Sequence, residues 1–120
     1  MCRDKQDFKK SQRLKQRNLF SSLFKKGKHF KGIDFSVRLL NNNLTITRLG
    51  ISIQGRIFPK ATQRNRVKRL IKEVFRRNKH NILSGYDILV KPKNIELADL
   101  KYQDVEERLL SLFREAKVWK

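Results

Sequence analysis

The sequence contains few of the residues that build disulfides, metal sites or membrane spans. Its 120 residues include one cysteine, two histidines and 11 acidic residues, against 30 lysines and arginines. The single cysteine, Cys2, allows no internal disulfide, which excludes a secreted disulfide scaffold. No run of 18 apolar residues is present, and the basic N-terminus lacks the apolar stretch of a signal peptide. We therefore expect no membrane span and a cytoplasmic location.

A recognisable catalytic pattern is also missing. His29 and His80 are far apart in the sequence and have no cysteine partners, so the spacing of zinc ligands is absent. No nucleophile motif accompanies them, and no D-x-D or E-x-x-H pattern offers a carboxylate cage for Mg²⁺. These absences disfavour a catalytic site within the chain. The alternative is a metal-dependent nuclease that acts unaided. It predicts that the protein cleaves RNA with no other macromolecule present.

The chain has an excess of positive charge, and that charge is unevenly placed. The formal net charge is +19; residues 1–80 contain 23 lysines and arginines but four acidic residues, whereas residues 81–120 contain seven of each. A compact domain with this charge repels itself unless a polyanion binds it, and nucleic acid is the commonest such partner. The hydrophobic fraction of 38% indicates a folded chain. The length fits one domain over residues 1–120, with about residues 1–17 as a flexible basic arm.

Three segments have the residue patterns of strands. Apolar and polar residues alternate over 35–40, and residues 44–53 are rich in β-branched side chains, so these two strands are predicted to form a hairpin through the turn at Asn41–Asn43. The nearly continuous apolar run at 86–90 predicts a central strand. Residues around 50–58 leave room for a further β segment.

Helical spacing predicts three helices. Leu19, Phe20, Leu23 and Phe24 recur at this spacing before Gly27, and a second apolar stripe from about Asp99 to Ala116 predicts a closing helix. The third helix lies between them, at residues 61–78. The resulting order, α-β-β-(β)-α-β-α, predicts a single α+β domain with an α-β sandwich architecture.

The helix at 61–78, ATQRNRVKRLIKEVFRRN, is the strongest prediction from the pattern. Seven of its residues are Lys or Arg and only Glu73 is acidic. On a helical wheel Arg69 and Arg76 lie nearly opposite the apolar stripe, so we expect the apolar side to pack on a sheet and the cationic side to meet phosphates. A solvated helix face is the plain alternative. The stripe comprises Val67, Leu70, Ile71, Val74 and Phe75.

The same segment carries a resemblance to a known family. A-x-x-RNRVKRLIKE-x-FR, residues 61–76, resembles the RNR signature helix of the bacterial ribonuclease P protein subunit. LFSSLFKKGK, RLGISI and GYDILVKPK resemble the family's N-terminal helix, the strand before the signature and the strand after it, in the same order. The resemblance implies a left-handed βαβ crossover, against the common right-handed rule.

The resemblance also implies a function. It implies a protein without catalytic residues that is monomeric apart from its partner, ribonuclease P RNA. That RNA would remove the 5′ leader of precursor tRNA by hydrolysis, with Mg²⁺ held mainly by the RNA and none by the protein alone. A structural RNA-binding protein, for instance a ribosomal one, would need a similar basic helix; the signature and the order of the flanking segments favour the ribonuclease P subunit.

Two sets of site residues follow from the resemblance. The signature helix is expected to bind the catalytic RNA through Arg64, Asn65, Arg66, Lys68, Arg69, Lys72 and Arg76. A cleft between the N-terminal helix and the sheet is expected to hold the single-stranded leader through Phe20, Phe24, Arg38, Arg56 and Lys60.

The predicted leader site departs from the family pattern in two places. Arg38 stands where the family often has an aromatic residue, and Gly55–Arg56 stands where adjacent lysines are frequent, so both arginines are expected to act on phosphates. For Phe20 and Phe24, the spacing alone allows either core packing or stacking on unpaired bases. The resemblance favours stacking.

Overall fold

The computed structural model describes residues 27–119. The predicted arm at residues 1–17 and the predicted N-terminal helix, with Phe20 and Phe24, lie outside the described residues, apart from Gly27. Within residues 27–119 no helix has the length and apolar character needed to cross a bilayer. The strands are β1 (Lys28–Lys31), β2 (Phe35–Asn41), β3 (Arg48–Ile51) and β4 (Tyr86–Pro92); the helices are α1 (Ala61–Asn78) and α2 (Tyr102–Glu115), with 3₁₀ turns at Lys79–Asn81 and Ile95–Asp99.

The strands form one mixed sheet in the order β1-β2-β4-β3. β2 pairs antiparallel with β1 and β4, whereas β3 pairs parallel with β4. The predicted hairpin between 35–40 and 44–53 is therefore wrong, because β4 lies between β2 and β3. β4 is buried from Asp87 to Val90, as expected of a strand with a neighbour on each side.

The further β segment predicted around 50–58 is also wrong. β3 ends at Ile51, and the chain then turns, with the N–H of Phe58 donating to the carbonyl of Gln54 at 3.0 Å. The additional strand of the sheet is β1, four residues long and placed before β2. β1 contains one apolar residue, Phe30, so its residue pattern gives little indication of a strand.

The loop between β2 and β3 crosses the N-terminal end of β4 and is fixed there by a buried carboxylate. Asp87 is 2% exposed and accepts two hydrogen bonds from Arg48, each 2.8 Å, and one from the side-chain amide of Asn42 at 2.9 Å. A buried charge is tolerated when its partners are in place, so this network holds the loop in position. Asn43 in the loop has φ of 58°, a conformation that Asn tolerates.

Both helices pack on one face of the sheet. The apolar stripe of α1 faces inward as predicted: Val67, Ile71, Val74 and Phe75 are at most 1% exposed, and Leu70 is half-buried against the core. Each fully buried side chain of this kind contributes roughly 1.5–3 kcal/mol through removal from water. The sheet contributes Phe35, Val37, Leu39, Ile88 and Val90, and α2 contributes Val105, Leu109, Leu112 and Phe113.

The adjacent parallel strands β3 and β4 make α1 the crossover of a βαβ unit. The predicted fold class, α+β with an α-β sandwich architecture, is confirmed by this mixed sheet and its two helices. The left-handed sense of the crossover stays a prediction from the resemblance. Because α1 lies on one face of the sheet with its stripe inward, its opposite side points away from the sheet.

Candidate nucleic-acid interface

The side of α1 that points away from the sheet is basic along its length. We call its polar residues the helix-face set: Asn65, Lys68, Arg69, Lys72 and Arg76. The first three are exposed and the last two are half-buried. The first turn of α1 contains no acidic residue, so the partial positive charge of the helix N-terminus adds to the side-chain charge.

Part of this charge is compensated inside the protein. The guanidinium of Arg76 donates two hydrogen bonds to the carboxylate of Glu73, at 2.6 and 2.8 Å, and Arg77 donates a third at 2.9 Å. The hydrogen bond from Arg76, assisted by Arg77, lowers the pKa of Glu73 to about 2. Arg76 therefore contributes less positive field to the outer surface than Lys68 or Arg69 does.

Replacing Glu73 by Gln is expected to make stability less sensitive to acid. The folded pKa lies below the ordinary value of 4.5, so the ionised carboxylate stabilises the fold above pH 4.5, and this contribution is lost as the pH falls towards about 2. A partly exposed ion-pair network of this kind corresponds to a Tm difference of roughly 2–5 °C between wild type and Glu73→Gln at neutral pH. Thermal unfolding followed from pH 7 to pH 2 would show the difference shrinking. Glu107→Gln, an exposed carboxylate on α2, is the control; an equal pH dependence in both variants would contradict the assignment.

Two signature arginines donate to backbone carbonyls of their own chain. Arg64 reaches back to the carbonyls of Phe58 and Pro59, at 2.9 and 3.0 Å. Arg66 reaches across to the carbonyls of Ala98 and Leu100, at 2.7 and 2.8 Å. Both were predicted to bind RNA. The structure places them on the two flanks of α1, with some of their donors already used, and leaves Asn65 exposed between them.

The second face of the sheet carries another basic surface. We call its charged residues the sheet-face cluster: His29, Lys31, Arg38, Lys91 and Lys93. Together with Ser36 and Leu89 they line a depression of about 320 Å³. The register explains the grouping, because Ser36 of β2 lies between Lys31 of β1 and Lys91 of β4, and Arg38 lies between His29 and Leu89. Residues paired in this way on one face have neighbouring side chains.

The charges of the cluster act on one another. Partial burial of the ring lowers the pKa of His29, and the positive charges of Arg38, Lys31, Lys93 and Lys91 lower it further. The nearby carboxylate of Asp34 is engaged elsewhere, with Asn94 at 2.8 Å and Arg108 at 3.1 Å. Cations gathered at this density repel one another, so a bound anion would relieve the repulsion.

The residues predicted to bind the leader lie on different elements of the fold. Arg38 belongs to the sheet-face cluster, whereas Arg56 and Lys60 are exposed in the loop that leads into α1. Arg56 lies 3.4 Å from the side-chain oxygen of Gln54, and the N–H of Lys60 donates to Gln63 at 3.1 Å. Phe20 and Phe24 lie outside the described residues.

Four members of the sheet-face cluster were missed by the sequence reasoning: His29, Lys31, Lys91 and Lys93. A signal for them exists, because each pair is separated by one residue, as expected of side chains on one face of a strand. Lys91 and Lys93 directly follow the apolar run at 86–90, and a strand extended through them would place both side chains on the same face. In residues 27–119 no three His, Cys, Asp or Glu side chains are grouped so that they could hold a metal ion.

An α+β fold with basic surfaces on opposite sides has the electrostatic footprint of a small nucleic-acid-binding protein. The family model for ribonuclease P matches residues 8–117. The ribonuclease P protein component of Thermotoga maritima is 39% identical over 112 residues, which cover 91% of this chain and 95% of the relative. That of Clostridium botulinum strain Langeland is 32% identical over 111 residues, covering 92% and 98%. The structure of Staphylococcus aureus RNase P protein superposes with a TM-score of 0.82 at 30% identity, covering 92% of this chain and all of that one.

The chain belongs to the ribonuclease P protein family. It is the protein component of an endoribonuclease ribonucleoprotein that acts in tRNA 5′ processing, and its partner is the RNA subunit of that particle. The predicted family membership is thus confirmed, and the family match decides against the ribosomal alternative. The roles of individual residues in RNA binding stay predictions.

Proposed function

We propose that this subunit supplies no catalytic group and instead holds two RNA chains at once. The helix-face set would bind the RNA subunit, and the sheet-face cluster would bind the 5′ leader of precursor tRNA. The observation that carries this proposal is the placement of the two basic surfaces. α1 covers one face of the sheet and presents its cations outward, whereas the cluster lies on the other face. One anionic chain on each side would neutralise both surfaces.

The described carboxylates support a non-catalytic role, because several are engaged by neighbouring residues. Asp87 is held by Arg48 and Asn42, and Glu73 by Arg76 and Arg77. We propose that the Mg²⁺ needed for hydrolysis is bound mainly by the RNA, and that the protein lowers the Mg²⁺ requirement by screening phosphate repulsion between RNA subunit and substrate. We also propose that the protein is monomeric apart from its RNA and acts in the cytoplasm.

Reconstitution with a bacterial ribonuclease P RNA tests the proposal. We expect the protein alone to leave precursor tRNA intact, and its addition to the RNA to lower the Mg²⁺ and substrate concentrations at which cleavage occurs. The measurement is the rate of leader release across a Mg²⁺ titration, with and without protein. Cleavage by RNA-free protein that disappears when a single carboxylate is replaced would instead establish an unaided nuclease.

A further inference from the structure

The guanidinium of Arg66 is bound by a distant part of the backbone. Its Nε donates to the carbonyl of Ala98 at 2.7 Å, and its Nη2 donates to the carbonyl of Leu100 at 2.8 Å. These carbonyls lie at the end of the 3₁₀ turn Ile95–Asp99, where backbone acceptors lack partners within the turn. Hydrogen bonds from a charged donor are roughly twice as strong as neutral ones. Arg66 therefore caps this turn by donating hydrogen bonds to the carbonyls at its end.

The turn belongs to the linker that joins β4 to α2, and the linker is held at both ends. At its start the side chain of Asn94 donates to Asp34 at 2.8 Å and accepts from the N–H of Glu96 at 3.0 Å. At its end the N–H of Leu100 donates to the carbonyl of Leu97 over a long 3.4 Å. Arg66 supplies the stronger attachment there, and α2 begins two residues later at Tyr102.

Successive residues of a helix point about 100° apart, so Arg64 and Arg66 diverge to opposite flanks of α1 with Asn65 between them. Arg64 holds the loop before the helix by the carbonyls of Phe58 and Pro59, as Arg66 holds the linker after β4. The two arginines thus fix two backbone segments against opposite flanks of α1: the loop before the helix and the β4–α2 linker. The outer surface between those segments is left to Asn65, Lys68 and Arg69.

We infer that Arg66 is a positioning residue for RNA assembly, which fixes the β4–α2 linker against α1 so that the helix-face set meets the RNA on a rigid support. The inference rests on the proposed function, in which α1 faces the RNA subunit. Two arginines of the signature helix then have different roles. Arg66 attaches a neighbouring segment of backbone, and Arg69 contacts phosphate directly.

Arg66→Lys separates attachment from charge, because lysine keeps the positive charge but lacks the planar fork that reaches two carbonyls. We expect both Arg66→Lys and Arg66→Ala to lower Tm by roughly 5–10 °C. Amide exchange at Leu97 and Leu100 is expected to become faster. Affinity for a ribonuclease P RNA should fall about 5- to 20-fold, with the slope of log Kd against log salt unchanged.

Arg69 provides the matched comparison, since it is exposed on the same helix. Arg69→Ala should leave Tm unchanged and reduce the salt slope by about 0.9, and Arg69→Lys should stay close to wild type. If Arg66→Ala does not fold, Arg66→Lys alone carries the comparison. Wild-type Tm, exchange and affinity in Arg66→Lys would overturn the inference. Unchanged affinity and salt slope in Arg69→Ala would instead overturn the proposed RNA contact of α1, while the Tm and exchange results for Arg66 would still report the attachment.

Discussion

Reversing the charges of Lys68 and Arg69 together, as Lys68→Glu with Arg69→Glu, is expected to weaken assembly with the RNA subunit roughly 100-fold near physiological salt. Both side chains are exposed on the side of α1 that points away from the core. Each would lose one phosphate contact and place a negative charge beside the RNA, which adds repulsion to the lost attraction. The fold should persist, because neither side chain contributes to the buried stripe. Filter binding or fluorescence anisotropy across a salt titration measures the change.

The control for this variant changes the net charge equally at sites away from α1. Arg114→Glu with Lys117→Glu replaces two exposed cations, one in the last turn of α2 and one after it. We expect this variant to lose less than about fivefold in affinity and to keep the salt slope, whereas the α1 variant should flatten the slope by about 1.5–2. Equal losses in the two variants would show that only the net charge of the protein matters, and would refute a specific RNA contact of α1.

The prediction of α1 succeeded because its signals are local. An apolar residue recurs at every third or fourth position from Val67 to Phe75, and Pro59 precedes the start of the helix. These local signals therefore indicated the extent of the helix, and the wheel indicated the direction of Arg69. The wheel could not predict the hydrogen-bond partners of Arg66, because they depend on where the carbonyls of Ala98 and Leu100 lie in the folded chain.

The partners of the strands could not be predicted from local pattern. Asn41–Asn43 marks a turn, but a turn does not determine which strand lies beside β2. The neighbour is β4, which begins at Tyr86, 45 residues after Asn41, its partner in the register. The short strand β1 exists mainly through its pairing with β2, so its residues gave little signal beyond the spacing of His29 and Lys31. Consequently the sheet-face cluster, which requires β1 and β4 on either side of β2, was found only in the structure.

Removing Lys91 and Lys93 together, as Lys91→Ala with Lys93→Ala, is expected to impair processing in proportion to leader length. With a leader of about eight nucleotides, kcat/KM of the reconstituted particle should fall roughly 10- to 50-fold at low Mg²⁺, because two phosphate contacts are lost. With a leader of a single nucleotide, the change should stay within about twofold, since such a leader offers no phosphates to the sheet face. Arg114→Ala with Lys117→Ala removes the same charge at the other end of α2 and should affect both substrates little.

His29 gives an independent readout of the same contact. Its pKa is lowered by partial burial and by the surrounding cations, so phosphates placed in the depression should raise it. Titration of the His29 ring by NMR, with and without a short single-stranded RNA, would measure this rise, and the Lys91→Ala with Lys93→Ala variant should show a higher starting value and a smaller rise. An unchanged His29 pKa on adding RNA, together with equal loss of activity on long and short leaders, would mean that the leader lies elsewhere. The pKa and the leader-length dependence are different measurements, so their agreement would locate the leader on the second face of the sheet.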